Sequence, residues 1–269
     1  MRPLFLLFAY MFNLTPVVRA ILIANVLVFF VTNDSVIERF GLHSILSEQF
    51  NPVQILTHMF LHAGLGHIFS NMIGLIVFGP MLERTWGSRR FAFFYLFCGI
   101  GAAALFSAIN YYEMQDVYAM VRDFRANPTP NGFIAFIDQH ASSLFDRVAA
   151  FSEQFENQPT NPKLVAGSLQ IVNSYYNAQV SVPMVGASGA IFGVIMAFGL
   201  LFPNTELFLL FPPIPIKAKY LVLFYGAYEL YSGVYQANSD NVAHFAHIGG
   251  MLFAFILVKF WGSQRKTFY

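Results

Sequence analysis

The sequence predicts an all-α polytopic membrane protein, six helices crossing a bilayer with a helical extramembrane insertion between the third and fourth. Three observations carry this. Hydrophobic residues fill 57% of the chain and charged ones only 11%, whereas soluble domains are about a quarter charged. Mean hydropathy is +0.55. Six apolar stretches, at 16–33, 66–83, 91–110, 185–202, 219–236 and 242–261, approach the roughly 20 residues a helix needs to span hydrocarbon. A net charge of +1 leaves no basic excess to neutralise phosphates, which excludes nucleic acid as a partner and leaves the lipid bilayer. The single Cys98 forms no intrachain disulfide and is expected to be a small buried hydrophobe.

Residues 1–15 are apolar but continue through Pro16 into the first span without a small-residue cleavage site, so they are expected to be a cytoplasmic or interfacial lead-in. Spans one to three then occupy 16–110. Between the first two lies an outer loop, 33–66, whose Ile37, Phe40, Leu42, Ile45, Leu46 and Phe50 suit the membrane interface better than water. The second span opens with His67, four residues before Asn71, so the two stack on one helix face. Alone, each is an ordinary packing hydrogen bond in a membrane helix. His58, His62 and His67 do not make a metal site: the H-E-x-x-H pattern is absent, and no carboxylate lies between His58 and Glu83.

Residues 111–183 are too polar to cross a membrane and too long for a simple connection. Apolar residues recur at helical spacing at Val117, Met120, Val121 and Phe124, at Leu144, Val148, Phe151 and Phe155, and at Val165, Leu169, Val172 and Tyr176. Three amphipathic helices, broken near Pro128/Pro130 and Pro159/Pro162, are expected outside the membrane. Spans four to six follow over 184–261, and 262–269 form a tail. Arg2, Arg19, Arg84, Arg89, Arg90, Lys217, Lys219, Lys259, Arg265 and Lys266 fall on one side and few cations on the other. The positive-inside rule therefore puts both termini in the cytoplasm and the insertion outside.

The fourth span begins with Gly186-Ala187-Ser188-Gly189, a lone serine among small residues. Gly189, Gly193 and Ala197 form a small-residue stripe, and His247, Gly250 and Ala254 form another on the sixth span; such stripes let helices approach closely. Close approach would bring Ser188 and His247 together. A serine hydroxyl is a poor nucleophile until a neighbouring imidazole takes its proton. Phe192, one turn past Ser188, is placed to pack on that imidazole. His244, three residues before His247, is rotated partly away and does not head the stripe.

Assembled, these residues resemble the rhomboid family of intramembrane serine proteases. The resemblance rests on His67-Ile68-Phe69-Ser70-Asn71, Gly186-Ala187-Ser188-Gly189 and Ala246-His247-Ile248-Gly249-Gly250, in that order on spans two, four and six. It implies a six-helix rhomboid-like bundle and a Ser188–His247 dyad, serine as nucleophile and histidine as base and then acid. It further implies an oxyanion hole from His67, Asn71 and the Ser188 backbone N–H, with Gly186, Gly189, Phe192 and Gly250 in support. Glu83-Arg84 resembles the family's charged pair, with a solvated loop charge as the alternative. No cofactor or metal is implied. Implied substrates are single-pass membrane proteins cut in or near the transmembrane segment, and the expected location is the bacterial inner membrane. The alternatives are an inactive rhomboid-like protein that binds membrane clients and a transporter, although no internal repeat supports the latter. A soluble α/β-hydrolase elbow is disfavoured because Ala190 stands where its second glycine would be.

Overall fold

The computed structural model describes residues 14–208, 215–235 and 243–264. Most of the expected lead-in (1–13) and the end of the tail (265–269) lie outside these. In chain order the helices are α1 Pro16–Val31, α2 Asp34–Phe40, α3 Gln54–Thr57, α4 Leu65–Trp86, α5 Ser88–Ala126, α6 Pro130–His140, α7 Phe145–Asn157, α8 Pro162–Val180, α9 Ser188–Leu201, α10 Ala218–Tyr235 and α11 His244–Gln264. Short 3-10 turns stand at His58–Phe60 and Ser142–Leu144. Among the described residues the expected all-α architecture has one small exception, an antiparallel ribbon of β1 Glu206–Phe208 and β2 Pro215–Lys217 in which Leu207 pairs with Ile216.

The chain forms two compact units, one of Met1–Leu42, Asn51–Ala108 and Met184–Tyr269, the other of His43–Phe50 and Ile109–Pro183. Within the described residues, each of the six apolar stretches read from the sequence contains a helix, α1, α4, α5, α9, α10 and α11 in order. Among the described residues, three helices, Leu65–Trp86, Ser88–Ala126 and the His244–Gly262 portion of α11, are long and apolar enough to cross a membrane, whereas the apolar α1 and α9 are shorter, at 16 and 14 residues. Leu27, Phe30, Leu65, Phe69, Leu223 and Phe224 are 62–80% exposed. Large aliphatic and aromatic faces of this kind suit lipid rather than water.

Three local devices shape this unit. Pro16 starts α1, where its missing N–H is no loss, and the carboxylate of Glu83 accepts from the next two amides, Val17 N at 3.0 and 3.1 Å and Val18 N at 2.9 Å. Glu83 also accepts from Ser88 Oγ at 2.6 Å. It is therefore a buried cap on the positive end of α1 and not the solvated loop charge that was its alternative reading. Gly87, at φ +79°, stops α4 and turns the chain into α5. The small-residue stripes meet: a Cβ at Gly250 would overlap the Gly189 carbonyl, and one at Gly193 would lie 2.7 Å from Cys98 Cβ and 3.1 Å from Gly250 O. Cys98 is buried there.

In the second unit, Val117, Val121, Phe124, Phe133, Phe136, Val148, Phe155, Val172 and Tyr176 close into one core. Two expectations need correction. The first of the three expected amphipathic stretches, Val117 to Phe124, is not a separate helix: no breaker occurs before Asn127-Pro128, and α5 runs unbroken to Ala126. The prolines at 128 and 130 do not mark a bare break either: Thr129 caps an additional helix, α6, by accepting from Gly132 N, and Pro130 occupies its first turn. The 43–50 segment joins this unit through Tyr176 Oη, which donates to Leu46 O at 2.9 Å.

Candidate active site

Ser188 is the first residue of α9, and the chain ahead of it is held by three backbone hydrogen bonds. Leu42 and Met184 exchange backbone hydrogen bonds at 2.9 and 2.8 Å, and Gly186 N donates to His58 O at 2.9 Å. Gly186 itself sits at φ +131°, a backbone state L side chains rarely adopt. The sharp turn leaves Ser188 at a helix N-terminus, where the first amides have no intrahelical acceptor and the helix dipole is positive. That is a place where an anion is stabilised.

The two residues paired from the sequence meet. Ser188 Oγ lies 2.8 Å from His247 Nε2, across 59 residues of chain. Phe192 stacks on the His247 ring, centroids 4.1 Å apart and planes 10° from parallel, and Tyr225 meets Phe192 edge-on at 5.9 Å. The imidazole is thus held on one face by a ring from the helix that carries the serine.

His67 and Asn71 lie on one face of α4. A Cβ on Gly186 would fall 2.7 Å from His67 Cε1 and Nε2 and 3.5 Å from Ser188 Oγ, so the imidazole of His67 stands directly beside the turn that presents the serine. Asn71 is buried and its Nδ2 donor has no hydrogen-bond partner. A buried, unspent amide donor is costly unless a ligand takes it. His62 meets His67 edge-on at 5.0 Å. Burial, then the charge of His67, holds the His62 pKa down at about 4 against the Phe60 carbonyl. Burial also pushes His58 down to about 4, although its Nδ1 lies 2.9 Å from Gln54 O. Both rings are consequently neutral at pH 7.

Sequence reasoning missed Glu229. This carboxylate, 4% exposed in α10, places Oε2 2.6 Å from His244 Nδ1 and 2.9 Å from His247 Nδ1. The first contact is an aligned hydrogen bond, while the second lies too far off the N–H direction to be one. A single acid inside an apolar run was the available signal, since ionisable groups at membrane depth mark function by default. Glu229, His244 and His247 bring ligand atoms within 4.8 Å of one another, a donor set that could hold a metal ion. The 2.6 Å hydrogen bond between Glu229 and His244 suits a shared proton instead, because a zinc ion would stand about 2.0–2.2 Å from every donor and push the two apart.

The family model of the Rhomboid domain matches residues 49–121 and 163–264. Among curated proteins, the chain is 25% identical over 212 residues to RHOMBOID-like protein 12, mitochondrial, of Arabidopsis thaliana, covering 79% of this chain and 46% of that protein. It is 41% identical over 54 residues to RHOMBOID-like protein 2 of the same plant, covering 20% of this chain and 17% of the relative. The chain spans less than half the length of these relatives.

Proposed function

The chain belongs to the rhomboid family, and from that premise we propose that it is an intramembrane serine endopeptidase. The observation that carries the reading is the 2.8 Å contact between Ser188 Oγ and His247 Nε2. Ser188 O–H donates to Nε2 and loses its proton to it as Oγ attacks the substrate carbonyl carbon. The resulting oxyanion meets the Ser188 backbone N–H at the head of α9, Asn71 Nδ2 and the His67 imidazole. Each such donor contributes about 10²–10³ in rate where water is sparse. Nε2–H then protonates the leaving amine, and water, activated by the same nitrogen, hydrolyses the acyl-enzyme.

The substrates are membrane-anchored proteins, cut in or near their transmembrane segment. At 14 residues, α9 is about 21 Å long against a hydrocarbon core of about 30 Å. Ser188 therefore sits below the membrane surface if the other end of α9 reaches its own interface. Irregular backbone such as 181–187 is tolerated at that depth where it lines a watered cavity. The cation distribution supports a cavity on the side opposite the termini, which is the exterior if the host is a bacterial inner membrane.

The test is cleavage of a model single-pass substrate in proteoliposomes. Ser188→Ala and His247→Ala each abolish it, with losses of several orders of magnitude, since members of such a pair act as a unit. Near wild-type turnover in either variant would contradict the reading.

A further inference from the structure

We propose that Glu229 is a third member of the Ser188–His247 system, a positioning residue that fixes the tautomer of His247 and balances the charge its ring acquires, and that His244 anchors Glu229 for this task. The inference rests on the serine-protease reading but adds a residue that the Ser–His dyad does not contain.

Glu229 lies between Tyr228 and Leu230 on a helix whose Leu223 and Phe224 are 69% and 67% exposed. An ionised carboxylate in such surroundings costs several kcal/mol unless it is paired and hydrogen-bonded. Its pairing here is specific. One oxygen, Oε2, faces Nδ1 of both His244 and His247.

The tautomer follows from that placement. A carboxylate oxygen 2.9 Å from Nδ1, even off the N–H direction, attracts the positive end of an N–H and repels a bare lone pair, which favours His247 with hydrogen on Nδ1 and a bare Nε2. The bare nitrogen is the one that faces Ser188 Oγ at 2.8 Å. The opposite tautomer would put a hydrogen between the two groups and remove the base. When the serine proton moves to Nε2, the ring becomes a cation beside an anion, in a setting where water screens little. The same proton later leaves with the substrate amine. Glu229 stays ionised throughout and accepts no proton.

His244 accounts for the arrangement of the carboxylate. Its aligned 2.6 Å hydrogen bond holds Glu229 in place, whereas the His247 contact is close but bent. Phe192 fixes the plane of the His247 ring, so a small turn of the glutamate is what straightens that contact. Hydrogen bonds of this type are often poorly aligned before substrate binds and tighten with it.

The experiment is nitrogen NMR on the intact 269-residue chain in detergent with labelled histidine, together with kcat and KM for wild type, Glu229→Gln and Glu229→Asp. The His247 signal, assigned by its loss in His247→Ala, is expected to report Nδ1–H in wild type and Glu229→Asp and to lose that signature in Glu229→Gln. In Glu229→Gln, kcat is expected to fall about 10²-fold or more with KM within about threefold, and the aspartate variant to recover part of the loss. A glutamate that only stabilised the fold would lower thermal stability without moving the tautomer. An unchanged tautomer in folded Glu229→Gln overturns the proposal, and so does near wild-type kcat. If that variant fails to fold, the wild type decides, because Nε2–H on His247 is by itself contradictory. Fluorophosphonate labelling of wild-type Ser188 separates the two claims. Labelling with an unmoved tautomer removes Glu229 alone, while a moved tautomer without labelling removes the protease reading and leaves the Glu229–His247 pairing standing.

Discussion

A methyl group at Gly186 would stand 2.7 Å from both Cε1 and Nε2 of His67. The glycine therefore serves two purposes, allowing φ +131° and leaving room for an imidazole beside the serine. Gly186→Ala should strain the backbone by about 1–3 kcal/mol and push His67 away from Ser188. Turnover of a model substrate is expected to fall at least about tenfold, with a lower melting temperature. Turnover equal to wild type would mean that His67 has no part in the reaction.

Asn71 presents a buried donor with no partner. If that donor meets the oxyanion, its contribution arises only in the transition state. Asn71→Ala should lower kcat about 10²-fold and leave KM nearly unchanged. An effect confined to KM would make Asn71 a substrate-binding residue instead.

His58 ties the turn ahead of Ser188 to the short 3-10 turn at His58–Phe60, since its carbonyl accepts from Gly186 N. Burial lowers its pKa from 6.5 to about 4, so the folded protein keeps it neutral while the unfolded chain protonates it below pH 6.5. Its contribution is fully present above pH 6.5 and is lost as pH falls towards 4, up to about 3 kcal/mol. The melting temperature of the wild type should drop more steeply between pH 6.5 and 4.5 than that of His58→Gln. Parallel curves would contradict the assignment.

The helices and the pairing of Ser188 with His247 were legible because they depend on signals local to each helix: long apolar runs, and small residues every fourth position beside one polar group. What was not legible depends on partners far apart in sequence. Glu83 caps a helix whose amides lie 66 residues earlier, and an isolated Glu-Arg pair gives no sign of that. Glu229 lies inside an apolar run, 15 residues before His244, and only the packing of α10 on α11 brings it to the histidines. In the second unit, Asn127-Pro128-Thr129-Pro130 carries opposite meanings at once, ending α5 and starting α6. The ribbon of β1 and β2 is too short for any periodicity to announce.

The second unit has an apolar core of its own, and none of the residues assigned a chemical role belongs to it. Part of it, 122–162, also falls outside the family match. A Gly/Ser linker replacing roughly residues 115–180, a length change that surface connections tolerate, should leave Ser188 reactive toward a small fluorophosphonate while altering cleavage of membrane protein substrates. Unchanged cleavage would make the unit an appendage without a part in access, and lost labelling would show that it holds the start of α9.

The most direct measurement is fluorophosphonate labelling of the purified full chain, read by mass spectrometry of the modified peptide. The account predicts one adduct, on Ser188, absent from Ser188→Ala and strongly slowed in His247→Ala, since the probe reports a hydroxyl activated by its base. No adduct on folded wild-type protein, or labelling at the wild-type rate in His247→Ala, would contradict it.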